Sequence, residues 1–171
     1  MQLGRRSDSD FDDFALAAWP RLRWSAYLLC GDHQLAEDLA QTALVRTYAR
    51  WGSVRRADAM AYTRRVLVNL NIDRLRRRRP VELGVGPGEV DPGALTAPDR
   101  TSGSDDRDEL VRLLATLTER ERSVVVLRHY FDLPEAAVAS ELGIATGTVK
   151  STLSRALAKL RTDQTLSGRT S

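Results

Sequence analysis

Residues 135–154, EAAVASELGIATGTVKSTLS, decide the fold. Ala139 is small where two helices must approach closely. Gly143 follows four residues later, where a helix-to-helix turn needs a positive φ that glycine adopts at least cost. Thr146 is placed to cap a second helix, and Val149 to pack back on the first. Pro134 stands in the first helical turn, where its missing amide had no partner anyway. The second helix is expected to bury Val149, Leu153, Ala156, Leu157 and Leu160. Its other side then presents Thr146, Thr148, Lys150, Ser151, Thr152, Ser154 and Arg155. Small hydroxyls interspersed with cations can approach a DNA major groove without steric exclusion. Spacing alone also fits a helical bundle without a ligand, or a protein-binding hairpin.

Working outward, Thr118 and Glu121 form a capping box, in which the threonine serves the third amide and the glutamate reaches back. A helix before it, starting near Ser104, carries Leu110, Val111, Leu114 and Leu117; Val124, Val125, Leu127 and Phe131 continue inward after it. In the first part of the chain, Asp10 is placed to cap a helix bearing Phe11, Phe14, Ala15, Ala18, Leu22, Ala26 and Leu29. Gly31 stops that helix and Asp32 is placed to cap the next. There Ala36, Leu39, Ala43, Thr47, Tyr48 and Trp51 share a face, with Glu37, Asp38, Gln41 and Arg50 away from it. After Gly52 and Ser53, a third helix from about Asp58 carries Tyr62, Val66, Leu70 and Asp73 and ends in Arg76 to Arg79. Cations suit the end of a helix dipole, but four arginines exceed that need. No stretch alternates with period two long enough for a strand. The expected class is all-α.

The net charge of +3 hides a division. Residues 1–79 sum to +6, residues 80–109 to −6, and residues 110–171 to +3. The middle stretch also holds 4 of the 6 prolines and 5 of the 11 glycines, without aromatics or apolar periodicity. It cannot bury enough surface to offset its ordering entropy. Two small helical domains, 10–79 and 108–162, joined by a flexible acidic linker at 80–107, follow from this pattern. Gly84-Val85-Gly86-Pro87-Gly88 is linker rather than a phosphate loop, since Glu82, Glu89 and Asp91 would repel phosphate. One cysteine excludes an internal disulfide, and two isolated histidines give no metal cluster, so neither metal nor cofactor is expected. The apolar stretches are far shorter than a membrane span. Arg5 and Arg6 precede acidic residues rather than an apolar run, so no secretory signal is expected and the cytoplasm is the expected compartment. Of 26 basic residues only Lys150 and Lys159 are lysine. The planar arginine fork suits phosphates and base edges, and coding bias in a GC-rich genome gives the same preference.

Leu142-Gly143-Ile144-Ala145-Thr146-Gly147-Thr148-Val149-Lys150-Ser151 resembles region 4 of bacterial sigma-70 family factors. Glu37-Asp38-Leu39-Ala40-Gln41-Thr42-Ala43-Leu44 resembles the region 2 helix that grips the β′ clamp helices of RNA polymerase. Asn69-Leu70-Asn71-Ile72-Asp73-Arg74-Leu75-Arg76-Arg77 is similar to the end of region 2. Their order, their separation and the lack of room for further folded domains resemble the extracytoplasmic-function (ECF) group. That resemblance implies a transcription initiation factor, not an enzyme. Its implied partners are core RNA polymerase (β′ clamp helices and β subunit), promoter DNA and an anti-sigma factor, and its place is at the nucleoid.

By motif position, Glu37, Asp38, Gln41 and Leu44 would contact polymerase, and the 146–155 face would read the upstream (−35) element. Arg55, Arg56, Tyr62, Arg64, Arg65, Asn69, Arg74, Arg76 and Arg77 would serve the downstream (−10) element and its melting. Trp51 and Tyr62 each carry two readings, core packing and base platform. Ala145 stands where many relatives have Pro or Ser, and Thr152 where an Arg is frequent, which removes a cation from the expected DNA face. Thirty residues of coil span about 30 Å, near the ~34 Å of one DNA turn, so the linker can serve two promoter elements. The competing class is a dimeric repressor or response-regulator-like activator, which would need a sensor or dimerisation domain in residues 1–79. An enzyme would need a triad, metal set or nucleotide cradle, none of which the sequence offers.

Overall fold

The computed structural model describes residues 3–78 and 105–167, and every regular element among them is helical. The elements are α1 (Leu3–Cys30), α2 (His33–Tyr48), a 3₁₀ turn (Arg56–Asp58), α3 (Ala59–Arg78), α4 (Asp105–Ala115), α5 (Glu119–Val125), a π-helical stretch (Val126–Tyr130), α6 (Glu135–Leu142) and α7 (Thr146–Ser167). Residues 80–104 of the acidic stretch, including Gly84–Gly88, lie outside the described residues. The remaining linker positions, 105–107, belong to α4. Two units form: α1 through Tyr27 with α2 from Gln34 and α3, and α4–α7, with which residues 28–33 cluster.

In the first unit, α1 begins at Leu3, so Asp10 lies inside the helix and is not its cap. The helix continues through Pro20. Proline removes the amide that would serve the Leu16 carbonyl, and both residues are exposed, so water can take that bond. Gly31, at φ 71°, follows the end of α1. The buried row of α1 includes Ala18, Leu22 and Ala26, and that of α2 comprises Ala36, Leu39, Ala40, Ala43 and Thr47. These alanines let helix backbones approach closely.

Tyr48 departs from that row and is exposed. On α3 the buried residues include Ala59, Thr63, Leu67 and Asn71, one position later than the expected Tyr62–Val66 row. Polar Thr63 and Asn71 hide this face from a hydrophobicity pattern. Their burial is permitted because they are satisfied. Thr47 Oγ1 and Thr63 Oγ1 lie 3.0 Å apart, and each is 2.8 Å from a carbonyl of its own helix, Ala43 and Ala59. With two protons between them, one hydroxyl donates across to the other, which donates to its carbonyl. Asn71 Oδ1 accepts from Arg74 Nε and Nη2 at 3.3 and 3.1 Å.

The second unit is held by its helix ends. Thr118 caps α5: its Oγ1 accepts the Glu121 amide at 3.3 Å while Glu121 Oε2 accepts the Thr118 amide at 3.0 Å. Lys159 Nζ, from α7, reaches the same Glu121 Oε2 at 2.8 Å. Burial pushes the Glu121 carboxyl up, but the Lys159 ammonium and the Thr118 amide and hydroxyl outweigh it and hold the group below the usual carboxylate range. Just after α4, buried Arg122 donates to the carbonyls of Leu114 and Leu117 at 2.8 and 3.2 Å, the first of which also accepts the Leu117 amide. Val111, Leu114 and Leu117 are buried, whereas Leu110, a helical step of about 100° from Val111, is exposed.

The π-helical stretch closes with the Phe131 amide on the Val126 carbonyl at 3.2 Å. Asp132 then turns the chain at φ 52°, a conformation that aspartate tolerates better than most residues. Pro134 is the N-cap of α6, one place earlier than expected, and its carbonyl accepts the Ala137 and Val138 amides. Gly143, at φ 65° and ψ 38°, ends α6, with its amide on the Ala139 carbonyl. Val149 N donates to Ala145 O at 3.1 Å, so Ala145 caps α7 and Thr146 is its first helical residue rather than its cap.

Space around Gly143 and Gly147 is open, so substitution there tests backbone conformation alone. Gly143→Ala should lower unfolding free energy by about 1–2 kcal/mol, and Gly147→Ala, within a helix, should raise it by about 0.5 kcal/mol; urea titration followed by circular dichroism reads both. A carboxyl depressed on folding stabilises above its unfolded pKa and loses that contribution as pH falls through the folded value. Glu121→Gln should therefore be less stable than the parent at neutral pH, with the difference shrinking below the ordinary carboxylate range. Acid titration by circular dichroism measures that convergence.

Candidate functional site

On α7 the inward row is Val149, Thr152 and Ala156, all 0–1 % exposed. Thr152 therefore lies in the core and not on the expected DNA face; the step of three residues from Val149 carries it inward. Its Oγ1 is buried without a hydrogen-bond partner. The Thr148 carbonyl, which a helical threonine at 152 would normally reach, accepts Ser151 Oγ at 3.1 Å instead. Outward stand Thr146, Lys150, Ser151, Ser154 and Arg155, with Thr148 half-buried. Leu153, Leu157 and Leu160 are half-buried at the margin. Lys150 Nζ is 3.7 Å from Glu135 Oε2, at the start of α6. The first turn of α7 holds no acidic residue, leaving the positive end of its dipole uncompensated by carboxylate.

The first unit carries two further surfaces. On α2, Asp38 and Gln41 are exposed, and Glu37 and Leu44 half-buried. Arg23 Nη1 pairs with Glu37 Oε1 at 3.0 Å, and Gln34 Nε2 donates to Asp38 at 3.4 Å. Gln41 and Leu44 also line an open apolar groove of about 520 Å³, together with Phe11, Ala15, Trp19, Val45 and Tyr48. Leu16 and Val45 are 75 % and 67 % exposed. This groove is absent from the sequence reading, because α2 carries two apolar rows and only the core-facing one is assigned there. The signal was present as a second helical row, with Gln41, Leu44, Val45 and Tyr48 at intervals of three, four and seven.

The second surface follows the turn after α2. Arg55 and Arg56 are exposed, and the Arg56 guanidinium lies 5.2 Å from the Trp51 ring centroid and pairs with Asp10. Trp51 itself is buried, its ring centroid 5.1 Å from both Phe11 and Phe14, which leaves it a packing role. On α3, Tyr62, Arg65, Asn69 and Arg76 fall on one helical face by their spacing; the last three are exposed and Tyr62 is half-buried. Arg77 is exposed beside them, whereas Arg64 is half-buried and Arg74 turns back on Asn71. The structure thus leaves six of the nine downstream candidates exposed: Arg55, Arg56, Arg65, Asn69, Arg76 and Arg77.

A helix-turn-helix with a hydroxyl-and-cation outer face, in a chain that also carries an arginine-bearing bundle, is a form suited to binding DNA. Comparison with known proteins narrows the class. Residues 16–81 match Sigma-70 region 2, and residues 107–160 match Sigma-70, region 4. The chain is 43 % identical over 155 residues to the RNA polymerase sigma-E factor of Streptomyces avermitilis, covering 89 % of this chain and 83 % of that protein. It is 32 % identical over 155 residues to the ECF RNA polymerase sigma factor SigL of Mycobacterium tuberculosis, covering 88 % and 84 %. A solved sigma factor RpoE from Bartonella quintana, in complex with the anti-sigma factor NepR, aligns with TM-score 0.66 at 25 % identity, over 89 % of this chain and 94 % of that one.

The chain belongs to the sigma-70 family of RNA polymerase sigma factors, in the ECF group. It is accordingly a DNA-binding initiation factor that joins core RNA polymerase at promoters. No helix among the described residues is long and apolar enough to cross a membrane, and none of their side chains form a metal-binding cluster.

The core position of Thr152 has a direct consequence. Thr152→Val keeps the shape and removes an unsatisfied hydroxyl, so stability should rise by about 1 kcal/mol. DNA affinity, followed by fluorescence anisotropy, should stay unchanged; a loss of affinity would return Thr152 to the DNA face.

Proposed function

We propose that the chain directs core polymerase to promoters through three surfaces on two domains, 10–79 and 108–162, joined by the linker 80–107. Glu37, Asp38, Gln41 and Leu44 bind the β′ clamp helices, with the apolar groove beside them adding buried area. Thr146, Thr148, Lys150, Ser151, Ser154 and Arg155 read the −35 element in the major groove. The α7 N-terminus and the two cations engage phosphates, and the hydroxyls reach base edges.

Arg55, Arg56, Arg64, Arg65, Arg76 and Arg77 take the −10 region, chiefly through phosphates, while Asn69 is placed for a base edge and Arg74 stays on Asn71. Promoter melting follows from capture rather than chemistry. Unstacking a base costs a few kcal/mol, and stacking on an aromatic returns about 1–3 kcal/mol per base. Tyr62, half-buried on the outer face of α3, is the aromatic available for that role. The complexed Bartonella quintana structure supports an anti-sigma factor as the regulator, and the site of action is the nucleoid.

The observation that carries this reading is the position of Asp38 and Gln41, exposed on α2 opposite its buried alanine row. Asp38→Ala with Gln41→Ala should weaken binding to core RNA polymerase about tenfold, since truncating two central polar contacts costs on the order of 1 kcal/mol or more. Binding is measured by pull-down with purified core enzyme, and undiminished capture by the folded double variant would overturn the assigned interface.

A further inference from the structure

The first turns of α1 carry Asp8, Asp10, Asp12 and Asp13, and they precede residue 16, where the match to region 2 begins. Two of these carboxylates act on residues distant in sequence. Asp10 holds the Arg56 guanidinium, and Asp8 accepts the Tyr48 hydroxyl at 2.8 Å, which raises the phenol pKa. Next to Asp10, Phe11 anchors the helix, its ring centroid 4.9 Å from Tyr48 and 5.1 Å from Trp51. Arg56 is thus occupied on one edge by a carboxylate and on one face by an indole. An exposed ion pair is weak when both partners must be ordered to make it. Here the acid arrives on a helix already fixed by aromatic packing, so less ordering is needed.

We propose that the N-terminal turns of α1 form a built-in anionic competitor, in which Asp10 occupies Arg56 in place of DNA phosphate and restrains the downstream DNA surface. This rests on the reading of Arg56 as a phosphate ligand. A phosphate reaching Arg56 meets the Asp10 charge at close range and must displace it or bind beside it against repulsion. The restraint is graded and salt-sensitive, because both groups are roughly half exposed, at 57 % and 45 %.

The test uses the full chain and a fluorescein-labelled 20-nucleotide single strand of mixed sequence, followed by anisotropy between 50 and 200 mM KCl. A phosphate contact is sequence-independent and visible with such a probe. Asp10→Asn should tighten binding about two- to fivefold at the lowest salt and steepen the salt slope by about 0.7, the increment for one further phosphate on a single strand. Arg56→Ala should weaken binding, and adding Asp10→Asn to it should add no more than Asp13→Asn does alone. Asp13→Asn removes the same charge from an exposed position of the same helix and should have a smaller effect. If Arg56→Ala weakens binding but Asp10→Asn does not tighten it, or Asp13→Asn matches Asp10→Asn, the competitor is overturned while Arg56 remains a phosphate ligand. If Arg56→Ala leaves binding unchanged, the phosphate reading of Arg56 falls and the competitor with it.

Discussion

The left-handed turn at Gly143 and the burial of Val149 six residues later set the direction in which α7 leaves the second unit. One helix must there serve as a wall of the core and as a surface for a partner. Small residues make this possible: Val149, Thr152 and Ala156 form an inner row that admits close approach of neighbouring helices. The outer row is thereby fixed, because a helix whose inner row is closed on its neighbours cannot rotate. Both lysines of the chain reinforce that setting from α7. Lys150 lies against Glu135 at the start of α6, and Lys159 against Glu121 in the α5 capping box. The polar face proposed to read DNA is thus held by the same contacts that stabilise the unit.

The first unit meets its demands with different chemistry. Its helices approach through alanines, and its buried polar contacts include a pair of threonines, each within hydrogen-bond distance of its own helix backbone. This economy of volume leaves larger apolar residues, Leu16, Leu44, Val45 and Tyr48, outside the core beside Asp38 and Gln41. An apolar groove with polar neighbours is suited to a protein partner, whereas the arginines around the Trp51 turn and along α3 are suited to phosphate. The two surfaces come from different faces and elements, so a polymerase and a nucleic acid need not compete for the same side chains.

Much of this was legible in the sequence wherever one residue has a chemistry that few others share. Gly143, the Thr118–Glu121 box and the all-helical class belong to that group, whereas Trp51 carried two readings until its burial decided for packing. What remained hidden involves residues able to play two parts. Thr152 looks like a surface hydroxyl and is buried; Thr63 and Asn71 look polar and line a core face. Helical phase decided each case, and an error of one residue turns the assignment by about 100°. The extension of α1 back to Leu3 was also hidden, because its acidic turns carry no apolar row and are packed through Phe11 and the partners of Asp8 and Asp10. The family resemblance located the surfaces, and only side-chain placement separated exposed candidates from those turned inward, such as Arg74 on Asn71.

Transcription in vitro from fragmented genomic DNA, using purified core RNA polymerase with and without this chain, followed by mapping of transcript starts, tests the central claim most directly. The account predicts starts that depend on the chain and share a two-part element upstream, one part near the start and the other at a fixed spacing beyond it. Starts no different from those of core enzyme alone, or a single palindrome bound by a dimer of this chain without polymerase, would contradict it.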